Sequence, residues 1–376
     1  MSKKKKGSEE SYYPEWVPEG GGDAFATSVL RGMKKTGNSP KKEAPVKKKL
    51  PDTGEFVEGI LDNNKTLLAK AITLIESNSA DHYEQGKEII KRLKGNFGNS
   101  LRVGITGPPG AGKSTLIEEL GLHLIKFGFK VAVLAVDPSS IITKGSILGD
   151  RTRMEKLSRE NKCFIRPSPS GGTLGGVSRK SRETMLLCEA AGYDVILIET
   201  VGVGQSEITV RSMVDFFLLL LFPGGGDELQ GIKRGVTEIA DLVVINKADG
   251  DNKVIAEKAR NDYSQAVKYL LPSTEGWERE VVTCSAVEKK GIDNIWDIIS
   301  SFGNSVKKSG IFEKRRNEQS WLWTLSLIDD FLKGNFFNNS SVDQKLPDVK
   351  EKILKGEILP EEGAESLLKT FFSGAK

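Results

Sequence analysis

Cysteine and histidine are scarce in this chain: 376 residues hold three cysteines and two histidines. Cys163, Cys188 and Cys284 are odd in number and far apart, which argues against a disulfide framework and for a reducing, cytoplasmic setting. With only His82 and His123 beside them, no Cys/His cluster has the spacing of a zinc or nickel site. Long apolar runs are missing too. The longest, Phe216 to Phe222, is far too short to span a membrane and reads as a central sheet strand. Nor is the charge strongly one-sided. Net charge is +4, and much of the lysine excess lies in the first fifty residues, as Lys3–Lys6, Lys34, Lys35, Lys41, Lys42 and Lys47–Lys49. That stretch also carries Gly20–Gly22, Pro40 and Pro45, and it reads as a solvated, mostly disordered tail. A nucleic-acid-binding arm is the less favoured alternative, to be recognised by steeply salt-dependent binding. No apolar segment follows the lysines, so no secretory signal is expected. Glu9, Glu10, Glu15 and Glu19 argue against a mitochondrial presequence.

Glycine is plentiful, and its placement is informative. Residues 107–114 read Gly-Pro-Pro-Gly-Ala-Gly-Lys-Ser, with Thr115 next. An apolar stretch ending at Thr106 precedes them, and a stretch of helical periodicity follows to Phe127. A Gly-rich turn between strand and helix aims backbone N–H groups and a helix N-terminus at one point, a site for phosphates. Gly107, Gly110, Ala111 and Gly112 form the cradle. Lys113 can reach the outer phosphates and Ser114 can ligate Mg²⁺.

The base is indicated further on. Asp241 to Ile245 reads as a buried parallel strand, and Asn246, Lys247, Ala248 and Asp249 follow it. Asn-Lys-x-Asp at a strand end is the guanine-reading motif of GTPases. The Asp249 carboxylate can accept from guanine N1–H and N2–H₂. Adenine offers neither donor and would strand a desolvated carboxylate, so discrimination is large. Lys247 is expected along the base plane, and Asn246 is expected to tie this loop to the phosphate loop. A later strand ends in Ser285 and Ala286, a weaker signal that resembles a further guanine-contacting loop.

Between these motifs lie the candidate catalytic and switch groups. Asp194 to Ile198 is a strand, and Glu199 follows where P-loop enzymes place the acid that holds Mg²⁺ or its waters. Gly202 is placed to offer its N–H to the γ-phosphate. The next residue is Val203, where Ras-like GTPases have a water-orienting Gln; Gln205 lies two further on. A valine cannot position water, so slow intrinsic hydrolysis is expected, with the missing group supplied by another loop or a partner. Asp137, at the end of the strand 130–136, and Asp150, in a Gly-bounded loop, are candidates for the Mg²⁺ shell. Arg151 and Arg153 are candidates for neutralising phosphate charge, although solvated surface roles are equally open to them. Residues 223–235 contain Gly224, Gly225, Gly226, Gly231 and Gly235 around Asp227, Gln230 and Lys233. This reads as a mobile switch element. The Gly-rich stretch 170–176 reads as a plain connecting loop.

The organisation follows from periodicity. After the tail at 1–50, residues 51–99 read as a small helical segment, with helices at 56–61, 65–77 and 83–93. From 100 to 305, strands at 102–106, 130–136, 194–198, 216–221, 242–246 and 281–285 alternate with helices. Fold class is α/β, a doubly wound and mainly parallel sheet. From 306 to 376 the chain is helical again, with helices at 318–333, 348–355 and 361–372 and a polar loop at 335–341.

The runs Val136–Ser140, Ser146–Met154, Glu199–Glu207 and Gly226–Lys233 resemble the MeaB/MMAA (ArgK-type) GTPases, and the resemblance extends over about 55–372. It implies a P-loop GTPase of the SIMIBI class that uses GTP/GDP and Mg²⁺. It implies a chaperone of an adenosylcobalamin-dependent acyl-CoA mutase, chiefly methylmalonyl-CoA mutase, gating cofactor loading from a cobalamin adenosyltransferase and protecting or rescuing the mutase. It also implies a homodimer joined through the C-terminal helical arm. The family's Mg²⁺ and switch positions fall on Ser114, Asp137, Asp150 and Glu199, and its third switch loop on 223–234, with Gln230 and Lys233 as contacts. Isobutyryl- and ethylmalonyl-CoA mutases remain open as clients. The competing readings are a nickel-insertion GTPase of the same class, which should carry His/Cys ligand clusters, and a kinase, which should carry a second substrate pocket.

Overall fold

A computed structural model describes residues 50–77, 79–136, 154–167, 174–200, 206–224 and 234–373. The chain divides into two units, 1–50 and 51–376. The second opens with three helices, α1 (Thr53–Leu61), α2 (Lys65–Glu76) and α3 (Ala80–Arg92). The start of α1 is set by a reciprocal cap in which Asp52 accepts from the Glu55 N–H and Glu55 accepts from the Asp52 N–H. Asn64 caps α2.

Seven strands then form one sheet: β1 (Leu101–Thr106), β2 (Val131–Val136), β3 (Cys163–Arg166), β4 (Val195–Thr200), β5 (Phe216–Leu221), β6 (Leu242–Ile245) and β7 (Glu280–Thr283). Their order is β3-β2-β4-β1-β5-β6-β7, and every pairing is parallel. The connecting helices are α4 (Lys113–Lys126), α5 (Glu155–Ser158), α6 (Leu174–Ala190), α7 (Ser206–Arg211), α8 (Arg234–Ile239) and α9 (Asn252–Val267). Four more follow: α10 (Ile292–Lys308), α11 (Ile311–Phe337), α12 (Ser340–Leu354) and α13 (Pro360–Ser373).

The strands are apolar without alternation because helices cover both faces. What alternates is destination. Phe216, Leu218 and Leu220 of β5 join one buried cluster with Leu116, Leu120 and Phe302. Phe217, Leu219 and Leu221 join another with Phe56, Leu68 and Ile72. The first three helices therefore complete the core over one sheet face. Gly104 in β1 is required by this packing, since a Cβ there would lie 2.7 Å from the Phe217 ring.

The structure adds β3, a four-residue edge strand too short to leave a periodic signal. It also corrects the helix limits. Helix α6 begins at Leu174, inside the stretch that reads as a connecting loop. Helix α11 runs on to Phe337, and only Asn338 and Asn339 separate it from α12, so the polar loop expected at 335–341 is mostly helix. Phe336 packs on Phe337 and Phe371 at 5.1 and 5.3 Å between ring centroids, and Asn339 caps α12. Pro347 lies within α12. A proline disguises a helix in a periodicity reading, so only the part after it is expected from sequence.

The base of α11 is anchored beneath the sheet. Arg316 reaches Asp215 through two bonds of 2.7 Å and Glu189 at 3.0 Å, and Gln319 donates to the Val214 carbonyl. Beyond this anchor the helix carries exposed Trp321, Leu325, Ile328, Phe331 and Leu332.

Candidate nucleotide-binding site

The strands of a parallel sheet all end on one side, and β1 lies between β4 and β5, where the chain's winding reverses. That switch point opens a crevice at the carboxyl ends of the strands. Residues 107–112 fill it between β1 and α4. Gly107 has φ +152°, and a Cβ there would sit 2.0 Å from the Leu220 carbonyl oxygen. Gly112 has φ +91°, and its Cβ would sit 2.5 Å from Asn246 Nδ2. Both glycines are dictated by close approach, one to the β5 backbone and one to the second loop of the site. Gly112 caps α4 without a side-chain bond, so the first-turn N–H groups of α4 are left for a ligand.

Lys113 is buried and curls back over its own loop. Its ammonium donates to the carbonyls of Gly107 at 2.7 Å and Pro108 at 3.2 Å. Burial holds its pKa below the usual lysine value, and Glu199 and Glu207 partly oppose that shift. A desolvated cation with neutral acceptors is well prepared to receive an anion. Beside it, the Ser114 hydroxyl donates to Glu199 Oε1 at 3.0 Å. Thr200 Oγ1 donates to Thr106 Oγ1 at 2.9 Å, joining the ends of β4 and β1.

Asn246, just beyond β6, joins three loops. Its Nδ2 donates to the Ala111 carbonyl at 2.8 Å, and its Oδ1 accepts from the Ala286 N–H at 3.1 Å and the Cys284 thiol at 3.3 Å. Lys247 takes a left-handed backbone with φ +60°, and its ammonium lies 4.9 Å from the centre of the Phe222 ring. Asp249 accepts from the Ser285 hydroxyl at 2.5 Å, and the Ala248 N–H donates to the Cys284 carbonyl. The carboxylate is thereby held on one oxygen, which leaves acceptor capacity for a ligand.

The structure thus gathers Gly107, Gly110, Ala111, Gly112, Lys113, Ser114, Thr115 and Glu199 at one end, and Asn246, Lys247, Asp249, Ser285 and Ala286 at the other. Asp137, Asp150, Arg151, Arg153, Gly202, Gln205, Asp227, Gln230 and Lys233 lie outside the described residues. Sequence reasoning passes over Cys284, Phe222, Glu207 and the Thr106–Thr200 pair. The first two look like ordinary strand-end apolar residues. Glu207 sits in a motif whose sequence signal lies in its glycines and glutamine. Among the described residues, no group of three or more His, Cys, Asp or Glu side chains could hold a metal, and no helix is long and apolar enough to cross a membrane.

Comparison with known proteins decides the family. Residues 68–341 match the model of the methylmalonyl-CoA mutase-associated GTPase MeaB. The chain belongs to that family. It is 46% identical to the GTPase ArgK of Escherichia coli strain K12, over 83% of this chain and 95% of that one. It is equally identical to the mitochondrial methylmalonic aciduria type A homolog of Mus musculus, over 84% of this chain and 78% of the relative. A crystal structure of a protein titled LAO/AO transport system kinase superposes with a TM-score of 0.68 at 39% identity, covering 84% of this chain and 96% of that one. This member of the MeaB family is therefore a P-loop GTPase, and a guanine nucleotide is its substrate.

Proposed function

We propose that this GTPase is a chaperone of an adenosylcobalamin-dependent acyl-CoA mutase, in the first place methylmalonyl-CoA mutase. Its nucleotide state gates cofactor loading from a cobalamin adenosyltransferase and protects or rescues the mutase. The observation that carries this reading is the match to the mutase-associated family across the whole nucleotide domain. We place the reaction in a reducing compartment such as the cytoplasm, in keeping with three free, buried cysteines.

In this reading Asp249 accepts from guanine N1–H and N2–H₂, Lys247 and Phe222 flank the base, and Ser285 and Ala286 hold the loop around it. Asn246 keeps the base end in register with the phosphate end. Lys113 swings from the Gly107 and Pro108 carbonyls to the β- and γ-phosphate oxygens, where its charge is compensated. The N–H groups of the phosphate loop, and that of Gly202, take the γ-phosphate charge as water attacks in line. The Ser114 hydroxyl and Glu199 carboxylate, 3.0 Å apart, form a hard-oxygen pair that fits Mg²⁺, with Asp137 and Asp150 as further holders. Bound Mg²⁺ supplies charge neutralisation on the phosphates. Val203 orients no water, so intrinsic turnover is slow. The missing group comes from Arg151, Arg153, Gln205, Asp227, Gln230 or Lys233, or from the mutase.

The exposed apolar side of α11, with α12 and α13, is the joint of a homodimer in this proposal. The deciding experiment is GTP hydrolysis by the pure protein with and without an adenosylcobalamin-dependent methylmalonyl-CoA mutase. Slow turnover that the mutase accelerates is expected. Fast turnover indifferent to the mutase would mean that the catalytic group lies within this chain and would refute the client.

A further inference from the structure

The ladder between β1 and β4 ends one residue short of the site. Its partners run from Leu101 with Val195 to Ile105 with Glu199. Thr106 and Thr200 come next in the same register, but there each strand is paired on its far side: Thr106 with Leu219 of β5, and Thr200 with Val136 of β2. The phosphate loop explains the parting. Gly107 lies so close to β5 that a Cβ on it would sit 2.0 Å from the Leu220 carbonyl oxygen, and this leads the chain away from β4.

Side chains close the gap. Thr200 Oγ1 donates to Thr106 Oγ1 at 2.9 Å, and both residues are 0% exposed. Two valines would fill the same space, and replacing both partners of a buried hydrogen bond by apolar groups of the same shape is nearly neutral for stability. Stability alone therefore does not account for two hydroxyls here. Their place in the chain does. Thr200 follows Glu199 directly and precedes Gly202 by two, and Thr106 is the residue before Gly107. Threonine is stiff at χ1, so the bond between the hydroxyls fixes one backbone against the other.

A second tie crosses the same junction, the Ser114–Glu199 bond at 3.0 Å. That tie is given up once both oxygens turn to Mg²⁺. The threonine bond uses neither of those groups, so it persists when the site is loaded.

We propose, resting on the roles given above to Glu199 and Gly202, that Thr106 and Thr200 are positioning residues for GTP hydrolysis. Their hydroxyl bond sets the end of β4 against the phosphate loop, and with it the Glu199 carboxylate and the Gly202 N–H. Neither threonine is reachable by nucleotide, since both are fully buried. A diphosphate without metal draws on the phosphate loop and the guanine loop. Mg²⁺ and the γ-phosphate draw on the end of β4 as well. The bond therefore governs turnover and Mg²⁺ affinity and leaves metal-free GDP binding alone.

The test uses the full chain. Thr106→Val and Thr200→Val each strand one buried hydroxyl, and each is expected to melt a few degrees lower. The double variant Thr106→Val/Thr200→Val strands none and is expected to regain most of that loss, so it is stable yet lacks the bond. Its kcat is expected to fall about tenfold, and Mg²⁺ titrated calorimetrically into its GDP complex should bind about tenfold more weakly, the scale on which a lost supporting bond weakens a metal site. GDP titrated in EDTA should bind as in the parent, which also shows that the variant has folded. Thr200→Ser keeps the hydroxyl and is expected to keep Mg²⁺ affinity. Parent kcat and Mg²⁺ affinity in the double variant, an equal loss of GDP affinity in EDTA, or the same Mg²⁺ loss in Thr200→Ser would each overturn the proposal. Glu199→Gln tests the underlying site reading separately: parent Mg²⁺ affinity there would refute the role given to Glu199, whatever the threonine variants do.

Discussion

Asn246→Ala tests whether the two ends of the nucleotide site are locked together before any ligand arrives. The side chain is 2% exposed and bonds to the Ala111 carbonyl, the Ala286 N–H and the Cys284 thiol. Truncation strands all three. Each buried backbone group left unpaired costs about 1–3 kcal/mol, while the thiol is a weak donor and adds little. Water entering the vacated space recovers part of the loss, so a net cost of about 3 kcal/mol is expected in the ligand-free protein. At roughly 2–4 °C per kcal/mol for a domain of this size class, Tm falls by roughly 6–12 °C. GDP affinity should fall by at least about tenfold as well, because the Ala111 carbonyl is no longer held and the phosphate loop must be ordered on binding. The assays are thermal unfolding by circular dichroism without nucleotide and GDP titration by calorimetry. A ligand-free Tm within about 2 °C of the parent would refute the reasoning. If GDP affinity fell all the same, Asn246 would be acting on the nucleotide directly and not as a brace.

Three further outcomes are expected. Gly107→Ala should destroy nucleotide binding or folding, since its Cβ would lie 2.0 Å from the Leu220 carbonyl in the sheet, whereas Gly110→Ala, with φ +77° and open space, should cost only about 1–2 kcal/mol of backbone strain; thermal melts of the two variants check this. Lys113 has its pKa lowered in the free protein, so in the window between that lowered value and the ordinary lysine value the unfolded chain binds more protons than the folded one. Its contribution to stability therefore rises with pH across that window. Phosphates need the charged form, so GDP affinity should fall as pH climbs through the same window, with proton uptake measurable by calorimetry in buffers of different ionisation enthalpy and lost in Lys113→Met. Phe331→Asp on the exposed side of α11 should yield a monomer by light scattering with GDP binding intact; an unchanged dimer would move the interface elsewhere.

Much of this protein is local and so legible in the chain. A phosphate loop needs glycines, a lysine and a hydroxyl at fixed spacing between a strand and a helix, and residues 107–115 carry them consecutively. The guanine-reading motif of GTPases needs Asn, Lys and Asp within four residues at a strand end, and residues 246–249 match it in sequence. Strands buried on both faces read as unbroken apolar runs, so β4, β5 and β6 announce a parallel sheet. Where the local signal is weak, the reading fails for physical reasons: β3 is four residues long at an edge, and Pro347 hides the first half of α12.

Tertiary structure alone decided the rest, because it depends on groups far apart in sequence. That Gly107 must be glycine follows from the Leu220 carbonyl, and that Gly112 must be follows from Asn246. Cys284 meets Asn246 only because β7 lies beside β6. The pairing of Arg102 and Arg316 with Glu189 and Asp215 beneath the sheet could be seen only once residues far apart in sequence had been brought together. The sequence by itself determined the chemistry of the nucleotide site, because that chemistry is written in contiguous residues. The fold decided which glycines are indispensable and which polar groups are satisfied, because burial and pairing are properties of neighbours in space.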